Sequence, residues 1–339
     1  MNELFIQTLL QATGATHAKK VEQIQSLWSG YGEIARYQLT ESTMPTVVVK
    51  HVVLPDQAMH PRGWNTDRSH QRKITSYQVE CAWYDYVRTH QAWPDEFPVA
   101  KSYGTYTSGH EFLMILEDLD ANGFPVRKSN ATLNDMKACL TWLAHFHAYF
   151  LSDSLVSDNS TSQITPTSLW PEGGYWHLET RPDEWNALND QALKQAAHKL
   201  DRALKQCRFK TLLHGDAKLA NFCFSDKEAR VAAVNFQYTG LGCGMKDVAY
   251  FIGSCLDSDG CQQHAYALLD IYFLLLKKAV SVYQPKFPVI ELEQEWRALF
   301  EIAWADFHRF LKGWSPDHWK IHEFSEHLTQ NAIRDIPSE

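Results

Sequence analysis

Several things are scarce in this sequence, and each scarcity removes a class of protein. Seven cysteines occur without one C-x-x-C pair. That excludes a thioredoxin-type motif and argues against a disulfide framework, so the thiols read as reduced and mostly buried. Positive charge is in deficit, with 32 Lys and Arg against 40 Asp and Glu and a formal net charge of −8. A broad nucleic-acid footprint is thereby excluded, and no nucleic-acid partner is expected. Long apolar runs are missing too. The most apolar stretch, 265–276, is broken by Asp270 and falls short of the ~20 apolar residues that a membrane span needs, so it reads as a core helix. The first residues carry neither a basic region nor a long apolar segment, so no signal peptide and no membrane partner are expected. The expected location is cytoplasmic. No internal repeat and no zinc-type ligand spacing is present.

What is there is enough chain and enough apolar surface for a large core. With 339 residues, 45% of them hydrophobic, and domains of ~150 residues, the length predicts two domains or one large bilobal one. Residues 47–53 (VVVKHVV) are β-branched and closed by Pro55, which reads as a strand. A polar stretch with Pro61 and Gly63 follows, and then Ile74, Tyr77, Cys81, Tyr84 and Val87 recur at helical spacing. EFLMIL (111–116) is a second short strand leading into Glu117-Asp118. From about residue 130 the pattern turns helical. Thr132 to Asp135 has the shape of a capping box, and Leu133, Met136, Leu140, Leu143, Phe146 and Phe150 trace one apolar stripe. Residues 152–174 are rich in Ser, Thr, Pro and Gly and read as a long exposed loop of the kind that covers sites. Short strands return over 211–236, and helices follow from 247.

The segment LLHGDAKLANF (212–222) carries the sharpest chemistry. Its skeleton H-G-D-x-x-x-x-N sets an acid and an amide on one turn between apolar strand-like residues. In phosphoryl transfer such an acid orients the acceptor hydroxyl and such an amide oxygen ligates magnesium. Further on, VAAVNFQ (231–237) reads as a strand ending in polar residues, followed by Gly240, Gly242, Gly244 and Asp247. A kinase-like site keeps its main metal-binding acid at this place.

On HGDAKLANF (214–222), NFQYTGLGCGMKDVAYF (235–251), ILEDL (115–119) and LAHFHA (143–148), the sequence resembles the aminoglycoside phosphotransferase and choline kinase superfamily. Within it, the sequence is most like the branch containing the ecdysteroid kinase-like proteins, over roughly residues 25–310. The resemblance implies a protein-kinase-like α+β fold with two lobes. A small N-terminal nucleotide-binding lobe with an antiparallel sheet would occupy residues 1–115, and a larger, mainly helical catalytic and substrate lobe 116–339. It implies ATP and Mg2+ as cofactors and a small-molecule hydroxyl acceptor. Asp216 would be the catalytic base, Asn221 a magnesium ligand, Lys50 the holder of the α- and β-phosphates and Glu80 the residue orienting it. The backbone of 115–119, including Glu117 and Leu119, would receive adenine, and His214 and Asp247 would brace the catalytic turn. Gly215 stands where protein kinases usually carry arginine, and no A-P-E follows Asn235, which argues against a protein substrate.

The family's metal-binding acid is Asn235 here. An amide keeps an oxygen but loses the charge a hard dication favours. One lost contact at ~4 Å, at an effective dielectric of ~20, removes roughly 4 kcal/mol before compensation. By the same resemblance Lys218, two residues after Asp216, would stand where many protein kinases carry a lysine aimed at the transferred phosphate, and would replace part of that stabilisation. The alternative is a catalytically impaired relative that binds nucleotide or metabolite as a sensor.

Blander readings stand beside these. Lys50 alone could be an edge-strand lysine, Asp216 with Asn221 an Asx turn, Lys218 a surface lysine and Asp247 the N-cap of the following helix. Gly30 and Gly32 could cover phosphate or simply turn a hairpin. His145 and His147, at i and i+2, do not share a helix face and make no metal pair. Trp296, Trp304, Trp314 and Trp319, with Asp306 and Asp317 nearby, read as core aromatics, with a minority reading as the wall of a pocket for a cationic acceptor.

Overall fold

The computed structural model describes residues 3–27, 30–54, 67–90, 93–155 and 168–336. The stretch around Pro61 and Gly63 and the centre of the 152–174 segment lie outside the described residues. The chain divides into two compact units. Unit 1 holds residues 1–126 together with 223–228 and 232–237, and unit 2 holds the remainder.

Unit 1 begins with helix α1 (Glu3–Thr13) and strands β1 (His17–Ser26), β2 (Gly32–Thr40) and β3 (Thr46–Val53). Helix α2 (Asp67–Thr89) and strands β4 (Ser102–Ser108) and β5 (Glu111–Glu117) follow. The five strands form one antiparallel sheet in the order β1-β2-β3-β5-β4. Because side chains alternate along a strand, β3 presents Val47 and Val49 to one face, where they pack with Leu113, Ile115, Phe5 and Leu9. Lys50 and Val52 point the opposite way and are also buried. Gly30 and Gly32 belong to the β1–β2 turn, closed by Leu27 N–H to Gly32 O at 2.8 Å. A Cβ at Gly32 would come within 2.0 Å of His51 O, so only glycine allows β2 and β3 to approach there.

Of the segments that return to unit 1, Phe224 bridges Val126 and Ala233 bridges Val99. Phe236 stacks on Trp83 of α2 at 4.6 Å.

Unit 2 is mainly helical. It contains α3 (Leu133–Tyr149), α4 (Pro182–Ala187), α5 (Gln191–Lys205), α6 (Met245–Cys255), α7 (Ser258–Tyr283), α8 (Val289–Trp314) and α9 (Glu323–Asp335). Strands β6 (Ser152–Asp153), β7 (Phe209–Leu213) and β10 (Gly240–Gly242) form a small sheet in the order β10-β7-β6, while β8 (Phe222–Phe224) and β9 (Val231–Ala233), most of whose residues belong to unit 1, pair separately. The capping box at Thr132 forms as the sequence predicts, and the α3 stripe is buried apart from exposed Leu133 and half-buried Phe150 at the C-cap. The stretch 265–276 lies within α7, and no helix among the described residues is long and apolar enough to cross a membrane. The seven cysteines are free, and all but Cys255 are buried.

The described end of the 152–174 segment is ordered. Trp170, Gly173 and Gly174 donate backbone N–H groups to Thr239, Leu241 and Tyr238. This lays the segment along β10 and beside Gly215, whose carbonyl accepts from Tyr175 N–H at 3.1 Å.

Candidate active site

In unit 1 the candidate residues gather on β3, α2 and the returning 232–237 segment. β3 is an inner strand of the sheet, so Lys50 is not an edge lysine. Its ammonium lies 2.6 Å from Glu80 Oε2, with both side chains buried. It also donates to Asn235 Oδ1 at 3.5 Å and sits 5.5 Å from the Tyr77 ring centroid. Glu80 and Tyr77 are one turn apart on α2, so a single helix face supplies both partners. Phe236 is held by Trp83 and Tyr84 of the same helix, which fixes its neighbour Asn235 relative to Glu80. Asn235 itself has φ +71°, a left-handed conformation that asparagine tolerates better than most residues.

At the end of β5, Glu117 N–H donates to Lys101 O and the Glu117 carboxylate accepts from Lys101 N–H. The Leu119 carbonyl accepts from Asn122 and Phe124.

In unit 2, β7 delivers the chain into the turn His214-Gly215-Asp216. Gly215 has φ +79°, and a Cβ there would lie 2.0 Å from Tyr238 O. Asp247 braces this turn. Its two carboxylate oxygens accept the His214 N–H at 2.6 Å and the Gly215 N–H at 2.9 Å. Asp247 is therefore not an N-cap. The helix begins earlier, with Gly244 at its cap, and the carboxylate is spent on a turn distant in sequence. His147 Nε2 lies 3.3 Å from Asp247, and its Nδ1 lies 2.7 Å from the Tyr272 hydroxyl. His145 instead contacts the Tyr283 hydroxyl at 3.1 Å, so the two histidines share no ligand.

The Asp216 carboxylate is surrounded by donors. Asn221 Nδ2 reaches Oδ2 at 2.9 Å, Lys218 Nζ lies 3.1 Å from the same oxygen, and the Tyr250 hydroxyl donates to Oδ1 at 3.1 Å. The His214 ring accepts the Asp216 N–H at 3.3 Å. Asn221 also donates to the Asp216 carbonyl at 2.7 Å, so its Nδ2 is committed and its amide oxygen accepts from no described residue. Burial, reinforced by Tyr175 and Asp216, pushes the Tyr250 phenol well above its ordinary pKa and keeps it a donor. The sequence reading missed Tyr250. Its one local signal is its place a turn after Asp247 on the same face of α6.

A second polar cluster lies nearby in sequence. Glu172, His177 and Asp201 bring possible ligand atoms within 4.8 Å of one another. Lys246 Nζ stands 2.9 Å from Glu172, and Lys205 Nζ 3.1 Å from Asp201. Two ammonium groups already balance these carboxylates, which is the composition of an ion-pair network.

Residues 173–284 match the model of the ecdysteroid kinase-like family. No curated protein sequence matches the chain. Among solved structures, amicoumacin kinase hAmiN, in complex with AMP-PNP, Ca2+ and Ami, aligns with 99% of this chain and 93% of its own. It does so at 14% identity and a TM-score of 0.52. Choline kinase from Cryptosporidium parvum Iowa II aligns over 98% of this chain and 90% of its own, at 10% identity and a TM-score of 0.50. The chain has the protein-kinase-like fold. That fold is the one implied by the sequence motifs, and the family match covers both HGDAKLANF and NFQYTGLGCGMKDVAYF. Within it, Lys50, Glu80 and Asn235 meet in unit 1, and His214, Asp216, Lys218, Asn221 and Asp247 meet in unit 2.

Proposed function

We propose that this chain is an ATP- and magnesium-dependent phosphotransferase acting on a hydroxyl of a small molecule in the cytoplasm. The observation that carries this reading is the buried Lys50–Glu80 pair at 2.6 Å, with the Asn235 amide oxygen 3.5 Å from the same ammonium. A lysine on an inner strand is costly to desolvate, and an ATP-dependent transferase gives it a task, holding the α- and β-phosphates while Glu80 orients it. Unit 1, to which the expected nucleotide-binding residues 1–115 belong, would handle the nucleotide, with adenine on the backbone of 115–119, and unit 2 the acceptor.

Asp216 accepts the acceptor's hydroxyl proton as the hydroxyl oxygen bonds to the γ-phosphorus and the bond to the bridging oxygen of the leaving diphosphate breaks. Tyr250 and Asn221 hold the two carboxylate oxygens so that one lone pair is aimed at the hydroxyl, and Lys218 meets the charge of the transferred group. Magnesium, when bound, neutralises phosphate charge. The residues that would hold it are Asn221 of unit 2, whose amide oxygen is uncommitted, and Asn235 of unit 1, whose oxygen carries no charge.

Asn235 also favours a second reading, in which the chain binds nucleotide as a sensor without turning it over. Calorimetry with ATP separates the two. Binding that requires magnesium and disappears with excess chelator supports the transferase. Metal-independent binding favours the sensor, and no binding in either condition overturns both.

A further inference from the structure

Lys320 lies in the connection between α8 and α9, and no part of the reading above uses it. Its ammonium stands 4.9 Å from the ring centroid of Tyr250 and 5.6 Å from those of Phe307 and Trp319. Among the described residues no carboxylate forms an ion pair with it. Tyr250 is the residue whose hydroxyl donates to Asp216 at 3.1 Å, so this cation covers the ring that touches the proposed base. Lys320 also edges a small cavity lined by Gly253, Trp304, Phe307 and Leu311. The side chains around it are aromatic: Tyr250, Phe307, Phe310 and Trp176 form a buried cluster, half-buried Trp314 stacks on Phe310, and Trp319 is exposed.

A cation pressed against aromatic faces gains some cation–π attraction, but losing water without a counter-ion still costs free energy. Burial accordingly draws the Lys320 ammonium down to a pKa of about 8, against the attraction of Asp216 and Cys255 and with the repulsion of Lys218. Of the two carboxylates that would suit a cationic acceptor, Asp317 is exposed and Asp306 is not available. Asp306 is buried and bound to Arg309 at 2.7 Å and to Trp176 Nε1 at 2.9 Å. Trp296 and Trp304 are in the core.

We propose that Lys320 is the anion-recognition residue of the acceptor half-site, so that the molecule whose hydroxyl reaches Asp216 carries an acidic group on an apolar body. This rests on the phosphotransferase reading of Asp216. An arriving anion supplies the missing counter-charge, and the exposed Trp319 and half-buried Trp314 offer aromatic faces to the body. A quaternary amine or amino sugar is disfavoured by like charge.

The test uses three primary alcohols of one shape and different charge, namely 4-(hydroxymethyl)benzoate, 1,4-benzenedimethanol and 4-(hydroxymethyl)benzylamine. Binding to the wild-type chain is measured by calorimetry at pH 7, then repeated with Lys320→Met and Lys320→Arg. The benzoate should bind at least tenfold more tightly than the amine. Lys320→Met should erase that preference and Lys320→Arg restore it, which a merely structural lysine would not produce. Equal or reversed charge preference in the wild type, an unchanged preference in Lys320→Met, or no binding of any of the three overturns the inference. So does a loss in Lys320→Met of ATP affinity with charge discrimination intact, which would assign the lysine to the nucleotide. ATP binding on the same samples judges the phosphotransferase reading separately, since its failure leaves the charge preference to stand or fall by itself.

Discussion

Asn235 combines a left-handed backbone, at φ +71°, with an amide oxygen 3.5 Å from the Lys50 ammonium. Aspartate tolerates that backbone nearly as well, so Asn235→Asp changes charge with little change of shape. The added charge should raise magnesium affinity in the presence of ATP by roughly ten- to hundredfold, a fraction of the bare Coulomb gain because Lys50 already offsets part of it. Magnesium titrations of ATP turnover read this directly, and an unchanged midpoint would remove Asn235 from the metal site. Gly215 poses the opposite case, because shape alone decides. With φ +79° and a Cβ destined to lie 2.0 Å from Tyr238 O, Gly215→Ala should cost at least about 2 kcal/mol of stability. Urea unfolding gives that number, and a loss under half a kcal/mol would show that the turn can relax. For Lys218, which is 3.1 Å from Asp216 but 40% exposed, Lys218→Ala should lower kcat about tenfold with KM nearly unchanged if it meets charge in the transition state. A rise in KM alone would make it a ground-state contact.

The elements differ in how openly the sequence announced them. β3, α2 and β5 were legible because each follows one periodicity without interruption. α3 was legible down to its cap, since Thr132 and Asp135 satisfy each other locally at 2.9 and 3.2 Å. Thr132→Ala should therefore cost about 1 kcal/mol, measured as a shift of the urea midpoint at constant slope. Asp247 reads locally as an N-cap for the converse reason, and its bracing of the catalytic turn came only with the family resemblance. Local pattern offers it a helix terminus, whereas its real partners, the His214 and Gly215 N–H groups and His147, arrive from β7 and α3. Tyr250 and Lys320 were hidden in the same way, their relation to Asp216 created by the packing of α6 and the 315–322 connection. Lys50 and Glu80 were legible only as a pair. A lone lysine on a strand suggests an edge, and it is the sheet order that places it inside. Motif spacing thus exposed residues joined by a short turn or a regular element; the tertiary pair Lys50–Glu80 came with the family resemblance, and Tyr250 and Lys320 escaped both.

At the scale of the whole molecule, a net charge of −8 leaves acid stability to the few carboxylates held in unusual surroundings. Glu172 and Glu326 are both held at a pKa of about 2, and Glu172 is the more buried of the two. Burial alone would raise its pKa, but Lys246 at 2.9 Å and His177 at 2.8 Å outweigh that and hold it at about 2, against 4.5 for an ordinary glutamate. A folded pKa below the unfolded one means stability that is complete above pH 4.5 and drains away as pH falls toward 2. The full amount is about 3 kcal/mol at ~1.4 kcal/mol per unit, of which about 2 kcal/mol is gone by pH 3. Asp201 opposes it. Burial, then Asp306 and Glu172, raise the Asp201 pKa despite Lys205, so its protonation relieves the folded state as pH drops. Asp201→Asn should hence stabilise the protein near pH 7 and steepen the acid loss. Glu172→Gln leaves the Lys246 ammonium, 2% exposed, without its carboxylate, so stability at pH 7 should fall by several kcal/mol. Its decline from pH 5 to pH 3 should at the same time become shallower than that of the wild type. Urea unfolding at pH 7, 5 and 3 distinguishes these responses, and parallel acid slopes for wild type and Glu172→Gln would mean that the network carries no share of the acid sensitivity.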